Sequence, residues 1–409
     1  MTSTSPHLVT RALRRLPIAA GPALLLLSAC ADERQDIFTP QGDSAEKINR
    51  LQVPVFGIAG LVGVLVLGGI LVLMRQGSRR HNDAEIDPVQ LEGNFKLEIG
   101  WTIAPAVLLA VVAVFTVATL LDLDDVDAAP PPELGEMEIS VYGHQWWWSY
   151  EYEMNPSDTS PENTPEIVTA NDLVIPAGVP IRLNIRSRDV IHSFWIPSLA
   201  GTRDAVPGRS HDLVIQADEP GVYDGQCKEF CGLSHANMKQ RVVALSMPEF
   251  QTWLEQQQET QPLLEEGDVG YEGQQTFLAQ CSTCHQINGL ENADGEPIVV
   301  EGGAAVVSRY APNLTHLMTR GVFAGALFDL WTTDEDGRPV VDRAQLEAWI
   351  RDPAAIKPMY DVVPEGELPR GMPDLGLSED QIDQVIDYLL TLHPGATEGP
   401  PIQTAGAQD

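Results

Sequence analysis

Two stretches of the chain are apolar on every side. Residues 54–74 (PVFGIAGLVGVLVLGGILVLM) and 101–121 (WTIAPAVLLAVVAVFTVATLL) hold no charged side chain. A helix of that length crosses roughly 30 Å of hydrocarbon, whereas a buried core helix would normally keep a polar face. The pattern predicts two membrane spans, with Trp101 anchoring one interface. A shorter apolar tract lies in RALRRLPIAAGPALLLLSAC (11–30), behind Arg11, Arg14 and Arg15. A basic start, an apolar middle and a small-residue end are the layout of a secretory signal.

Further along, the period changes. MEISVYG, DLVIPAGVPIRLNI, HDLVIQA and RVVALSM are alternating or β-branched runs, punctuated by Gly and Pro. They predict an antiparallel β-sandwich of about 110 residues. SMPEFQTWLEQQQ closes it, with Ser246 and Glu249 spaced as a capping box that opens a helix. Residues 256–269 are polar and acidic, which predicts a linker, and from there to about residue 394 the reading is mostly helical. In SEDQIDQVIDYLLTL, Ile382, Val385, Ile386, Leu389 and Leu390 form one helical stripe, capped by Ser378 and Gln381. AAPPPELG (128–135) reads as a proline-rich linker, and the Gly/Pro/Ala/Gln-rich tail from Pro394 as disordered. No internal repeat is visible, and 409 residues exceed one ordinary domain.

Charge orients this layout. Arg75, Arg79, Arg80 and Lys96 lie between the spans, and DLDDVD after the second carries no basic residue. The connecting loop is therefore expected in the cytoplasm, and everything after about residue 122 outside it. That is the oxidising side, where cysteines pair, bind metal or carry cofactors. A net charge of −33 argues against a nucleic-acid partner and suits a soluble face or a basic partner.

Five cysteines remain to be placed: Cys30, Cys227, Cys231, Cys281 and Cys284. GQCKEFCGLSHANM (225–238) joins Cys227 and Cys231 to His235 and Met238. A local disulfide would give the last two no role, and structural zinc has little use for Met. Two thiolates with imidazole and thioether select copper, and His192 in RDVIHSFWIP supplies a second imidazole. CSTCH (281–285) is C-x-x-C-H, the signature of covalent c-type haem attachment, with His285 as proximal ligand. A methionine sixth ligand raises a haem potential, and Met359 and Met372 are both placed to supply one. No HEXXH, P-loop or Ser-His-Asp signature is visible.

DVIHSFWIPSLAGTRDAVPGR together with GQCKEFCGLSHANM resembles subunit II of haem–copper cytochrome c oxidases. CSTCH resembles the class I cytochrome c domain fused to subunit II in caa3-type members, and LSAC resembles the bacterial lipobox. The resemblance implies a multidomain chain: a signal peptide (1–29), a two-helix transmembrane hairpin (45–125), a cupredoxin-like sandwich (134–258), an all-α cytochrome c domain (268–394) and a tail (395–409). It implies a binuclear CuA centre bridged by Cys227 and Cys231. His192 and His235 would each bind one ion, Met238 one copper and the Glu229 carbonyl the other. Cys281 and Cys284 would carry one haem c, with His285 and Met372 as axial ligands and the Pro312 carbonyl orienting His285. Met-Pro before the last helix is the family arrangement that favours Met372 over Met359. YGHQWWWSYEY is similar to the family's aromatic stretch and makes Trp146 the surface tryptophan where electrons enter CuA.

Still by resemblance, the Glu229 carboxylate would help hold Mg at the subunit I boundary, with Asp189 close by, and Glu98 would stand at the mouth of a proton path. Cys30 would be lipidated, so no thiol is left for a disulfide. Where the family commonly has Lys before the Asp of DAVPGR, this chain has Thr202 and Arg203.

The implied function is the electron-accepting subunit of a respiratory terminal oxidase. Its partners would be subunits I and III in a bacterial plasma membrane, with both soluble domains outside. Its donor would be cytochrome c or a bc1-type complex, and oxygen reduction would be coupled to proton pumping. The alternatives are the CuA subunit of a nitric oxide reductase and a periplasmic copper-binding protein; a quinol-oxidase subunit would lack the copper ligands.

Overall fold

The computed structural model describes residues 35–79, 92–123, 137–154, 167–290, 310–360 and 370–393. The segments read as a signal peptide, a 128–135 linker and a tail, and Cys30, lie outside the described residues. Two long helices come first, α1 (Asp43–Arg79) and α2 (Phe95–Leu123). At 1.5 Å per residue, the 37 residues of α1 run about 55 Å, well beyond a hydrocarbon core. Its outer end is seated on the sandwich: the Ala45 N–H donates to Leu199 O at 3.1 Å, and Ala45 is buried. Lys47 pairs with Asp122 at 3.3 Å and ties the two helices together there. Along their length Leu65, Leu73, Leu109 and Val114 are each about two-thirds exposed. In water that surface would be costly, whereas lipid or partner helices cover it.

Among the described residues the sandwich has ten strands: β1 (Glu138–His144), β2 (Trp147–Glu153), β3 (Ile167–Ala170), β4 (Asp172–Pro176), β5 (Ile181–Ser187), β6 (His192–Phe194), β7 (Arg203–Ala205), β8 (His211–Ile215), β9 (Gly221–Gln226) and β10 (Lys239–Leu245). One sheet has the order β3-β2-β1-β5-β8 and the other β4-β10-β9, while β6 and β7 form a separate pair. The expected sandwich is present and its strand pairs are mostly antiparallel, with β1 against β5 and β4 against β10 in parallel. Asn171, at φ +65°, a left-handed turn that Asn tolerates, passes the chain from β3 in the first sheet to β4 in the second. Tyr150 and Tyr152 fill the space between the sheets and bond across it, to Gln240 Oε1 at 3.0 Å and to Val174 O at 2.8 Å.

Helix α3 (Met247–Gln257) starts at the expected box, the Glu249 carboxylate accepting the Ser246 N–H at 3.1 Å. Two residues of the segment read as a linker are anchored, while most of the others are exposed. Gln257 and Gln261 are buried, and the Gln261 N–H donates to Asn288 O at 2.8 Å.

The last domain holds α4 (Tyr271–Gln280), α5 (Arg343–Arg351), the single turn α6 (Pro353–Ile356) and α7 (Glu379–Leu389). Ser378 and Gln381 cap α7 reciprocally, at 3.0 and 3.3 Å. Ile382, Val385, Ile386 and Leu389 are buried as the stripe requires. Gly273 lets α4 press on α7, since a Cβ there would lie 1.9 Å from Gln384 O. Two short hairpins, Val322–Phe323 with Phe328–Asp329 and Trp331–Thr333 with Pro339–Val341, qualify the all-α expectation.

Candidate metal centre and haem cavity

The loop 227–238 connects β9 to β10 and is closed at its base, where the Cys227 N–H donates to Met238 O at 2.9 Å. The Lys228 N–H donates to Ser193 O at 3.1 Å, so the loop is laid against β6, which carries His192. Six donors meet as a result. Cys227 Sγ lies 3.8 Å from Cys231 Sγ, 3.9 Å from His192 Nδ1 and 3.3 Å from Glu229 O. Cys231 Sγ lies 3.6 Å from His235 Nδ1 and 3.8 Å from Met238 Sδ. A disulfide would bring the sulfurs to about 2.05 Å. Ligands about 2.3 Å from a shared ion at tetrahedral angles lie roughly 3.7 Å apart, and these spacings fit that. His192, Cys227 and Cys231 are all buried, and three soft sulfurs with two imidazoles are a copper-selecting set.

The surroundings fix each donor. Asp189 Oδ1 sits 2.7 Å from His192 Nε2, which turns Nδ1 toward Cys227. The same carboxylate accepts the N–H of Val190 at 2.6 Å and of Gln145 at 2.7 Å. Burial opposes its ionisation, but His192 and the two amides outweigh burial and hold Asp189 below the usual carboxylate range. His192 is raised above ordinary imidazole, because Asp189 and Cys227 outweigh its own burial. The hydrogen bond from Cys231, with help from His192, pulls Cys227 down to about 4. The thiolate so formed, with burial, pushes Cys231 up. Cys231 can join Cys227 as a second thiolate only when cations lie between them.

Two glycines make room. A Cβ on Gly143 would lie 2.7 Å from the His192 ring. Gly232, at φ +116°, packs against Gln145 and Trp146, and both of these donate to Cys231 O, at 2.7 and 3.1 Å. The roles of Gly143, Gln145 and Gly232, and the bond between Asp189 and His192, were not read from the sequence. The spacing DVIH, an acid three positions before the ligand histidine, is the signal that could have found the last.

The other expected residues fall as follows. Glu98 is exposed in the first turn of α2, and the Glu229 side chain is exposed at the loop's rim. Trp146 is not at the surface. It is 2% exposed, because the segment after α6 covers it and the Tyr360 ring lies 5.5 Å away.

In the last domain, Cys281 and Cys284 follow the end of α4, and the His285 N–H closes the turn on Cys281 O at 2.9 Å. All three line a cavity of about 830 Å³, with Met359, Met372 and Trp146 on other sides of it. That volume falls within the range of cofactor pockets. Burial keeps His285 neutral, and Pro312 O, 2.8 Å from Nδ1, can only accept, so the proton sits on Nδ1 and Nε2 is free to ligate. Burial, then Cys284, pushes Cys281 up to about 12. Met359 Sδ already accepts the Met372 N–H at 3.0 Å.

Two membrane-length helices, a sandwich with a soft-ligand nest and a C-x-x-C-H domain define a membrane-anchored electron-transfer protein. Residues 35–119 and 137–245 match the transmembrane and periplasmic domains of cytochrome c oxidase subunit II, and 271–393 match cytochrome c. Cytochrome c oxidase subunit 2 of Alkalihalophilus pseudofirmus is 33% identical over 373 residues, 90% of this chain and 94% of that protein. Its counterpart in Bacillus sp. (strain PS3) is 30% identical over 380 residues, 91% and 95% of the two chains. The periplasmic domain of subunit II of cytochrome oxidase from Bradyrhizobium japonicum, a crystal structure, is 32% identical over 30% of this chain and 94% of that one, with a TM-score of 0.26. The chain belongs to the cytochrome c oxidase subunit II family, in the branch that carries a fused cytochrome c domain. It is a subunit of an oxidase complex, a membrane protein with a periplasmic domain, and copper and haem are the cofactors of its two soluble domains.

Proposed function

We propose that Cys227 and Cys231 bridge two copper ions, that His192 and His235 each hold one through Nδ1, and that Met238 Sδ and Glu229 O complete the set. The convergence of these six donors at 3.3–3.9 Å supports the reading most directly. A copper pair supplies a one-electron couple whose charge is spread over two ions, so the ligands move little. In this chain Asp189 holds the His192 tautomer, while Gln145 and Trp146 hold the Cys231 carbonyl.

In the cytochrome domain, Cys281 and Cys284 attach one haem c by thioether bonds and His285 Nε2 is the proximal ligand. Met372 is the sixth ligand, and Met359, its sulfur engaged by the Met372 amide, positions it. The Glu229 carboxylate faces a Mg site shared with subunit I, and Glu98 marks the mouth of a proton path. Cys30 carries lipid. Electrons come from cytochrome c or a bc1-type complex, pass through the fused domain to the copper loop, and continue to subunit I. Subunit III completes the assembly in the bacterial plasma membrane, with both soluble domains outside and oxygen reduction coupled to proton translocation.

Oxygen and nitric oxide consumption by the purified complex, supplied with reduced cytochrome c, tests the reading. Oxygen uptake is expected; nitric oxide turnover without oxygen uptake would replace the oxidase with a reductase.

A further inference from the structure

The cytochrome domain is fastened onto the sandwich beside the metal loop. Lys357, just past α6, is 3% exposed, and its amine donates to Trp146 O at 2.7 Å and to Ala324 O at 2.8 Å. A buried amine is costly unless it is hydrogen-bonded, and here two of its hydrogens are taken, one by an acceptor from each domain. The turn Ala324–Ala326 takes φ values of 54°, 75° and 55°, a left-handed run that alanine adopts only under constraint. Gly325 at its centre leaves room for the clasp, since a Cβ there would lie 2.3 Å from the Lys357 amine and 2.4 Å from Trp146 O.

Three more bonds cross the same seam. The Lys239 N–H donates to Gly325 O at 2.9 Å, the Ser234 hydroxyl to Pro358 O at 2.5 Å, and the Gly321 N–H to the buried Asp172 carboxylate at 2.7 Å. Trp146 thus touches the copper loop through its indole N–H on Cys231 O, and lines the haem cavity.

We propose that Lys357 is a positioning residue for electron transfer within the chain: it clamps the cytochrome domain onto Trp146, so that the haem cavity abuts the copper loop and no external protein reaches that ring. This rests on the copper and haem assignments above. One electron leaves the reduced cytochrome domain and one arrives at the oxidised copper loop, with no proton or covalent bond exchanged. An external donor must therefore reduce the cytochrome domain first.

The test uses the complete purified oxidase carrying Lys357→Met. External reduction of the fused haem is expected at the wild-type rate, with haem and copper spectra unchanged. Transfer from haem to copper after photoreduction is expected to slow at least about tenfold, and exchange of the Lys239 and Gly321 amides to quicken by a similar factor, as the two carbonyls lose their donor. If that variant does not accumulate, Tyr360→Leu, which strips the ring from Trp146, takes its place with the same transfer readout. Unaltered haem-to-copper transfer in a variant with intact spectra overturns the proposal, and so does a donor that reduces copper before haem in the wild type. The amide exchange needs no cofactor assignment. Missing copper or haem spectra in the wild type would instead sink the reading on which the proposal rests.

Discussion

Replacing Asp189 by Asn removes one charge and little volume, and it isolates what the carboxylate does. Its two oxygens accept three donors: His192 and the Val190 N–H on Oδ1, and the Gln145 N–H on Oδ2. An amide has one acceptor oxygen. With that oxygen toward Val190, the new NH2 group confronts the Gln145 N–H. With it toward Gln145, the NH2 group confronts Val190 and His192 Nε2. His192 then keeps its Nδ1 lone pair only by losing a partner; otherwise it turns its Nδ1 proton toward Cys227, 3.9 Å away. Loss of such an outer partner weakens metal binding about 10- to 100-fold, or about 1.4–2.7 kcal/mol. Chelator competition on the purified chain, read by the copper absorption and paramagnetic signal, measures it. Copper affinity equal to wild type, with an unshifted signal, would show that Asp189 does not orient the ligand.

Three further outcomes follow from the same geometry. Gly143→Ala drives a methyl into the His192 ring, costs about 1–3 kcal/mol in denaturant unfolding and shifts the copper spectrum; an unperturbed spectrum would mean the ring has room to move. Met372→Leu is expected to lower the haem potential in a redox titration by more than Met359→Leu, which loses only the sulfur that positions Met372, and the reverse order would exchange their roles. Burial, then Arg320, lowers His316 to about 4, so between about pH 4 and 6.5 the unfolded chain holds a proton that the folded chain lacks. Stability then falls as pH drops from about 6.5 to about 4 and levels off below, and His316→Gln is expected to flatten that limb of the acid unfolding curve followed by haem absorbance.

What could be read in advance was local. Residues 54–74 and 101–121 announced α1 and α2 because they hold no charged side chain, and Ser378 with Gln381 announced α7 because a capping box is contained in four consecutive residues. Cys227, Cys231, His235 and Met238 stood out because one short loop carries four soft or borderline ligands. The missing pieces depend on distance along the chain. The parallel pairing of β1 with β5 is set by where the chain crosses between sheets, which no strand's own pattern encodes. The burial of Trp146 depends on a lysine 211 positions away. Gly143 looks like any turn glycine until the His192 ring is laid over it. Asp189 is an intermediate case, since its spacing from His192 was visible but its three acceptances were not.

The paramagnetic spectrum of the oxidised complex, compared between wild type and Cys227→Ser, tests the centre most directly. Hyperfine structure from one unpaired electron shared by two copper nuclei is expected in the wild type, alongside one covalent haem c. In Cys227→Ser that pattern is expected to vanish while the haem remains. A signal from a single copper in the wild type, or an identical signal in the variant, would contradict the bridging role of Cys227 and Cys231.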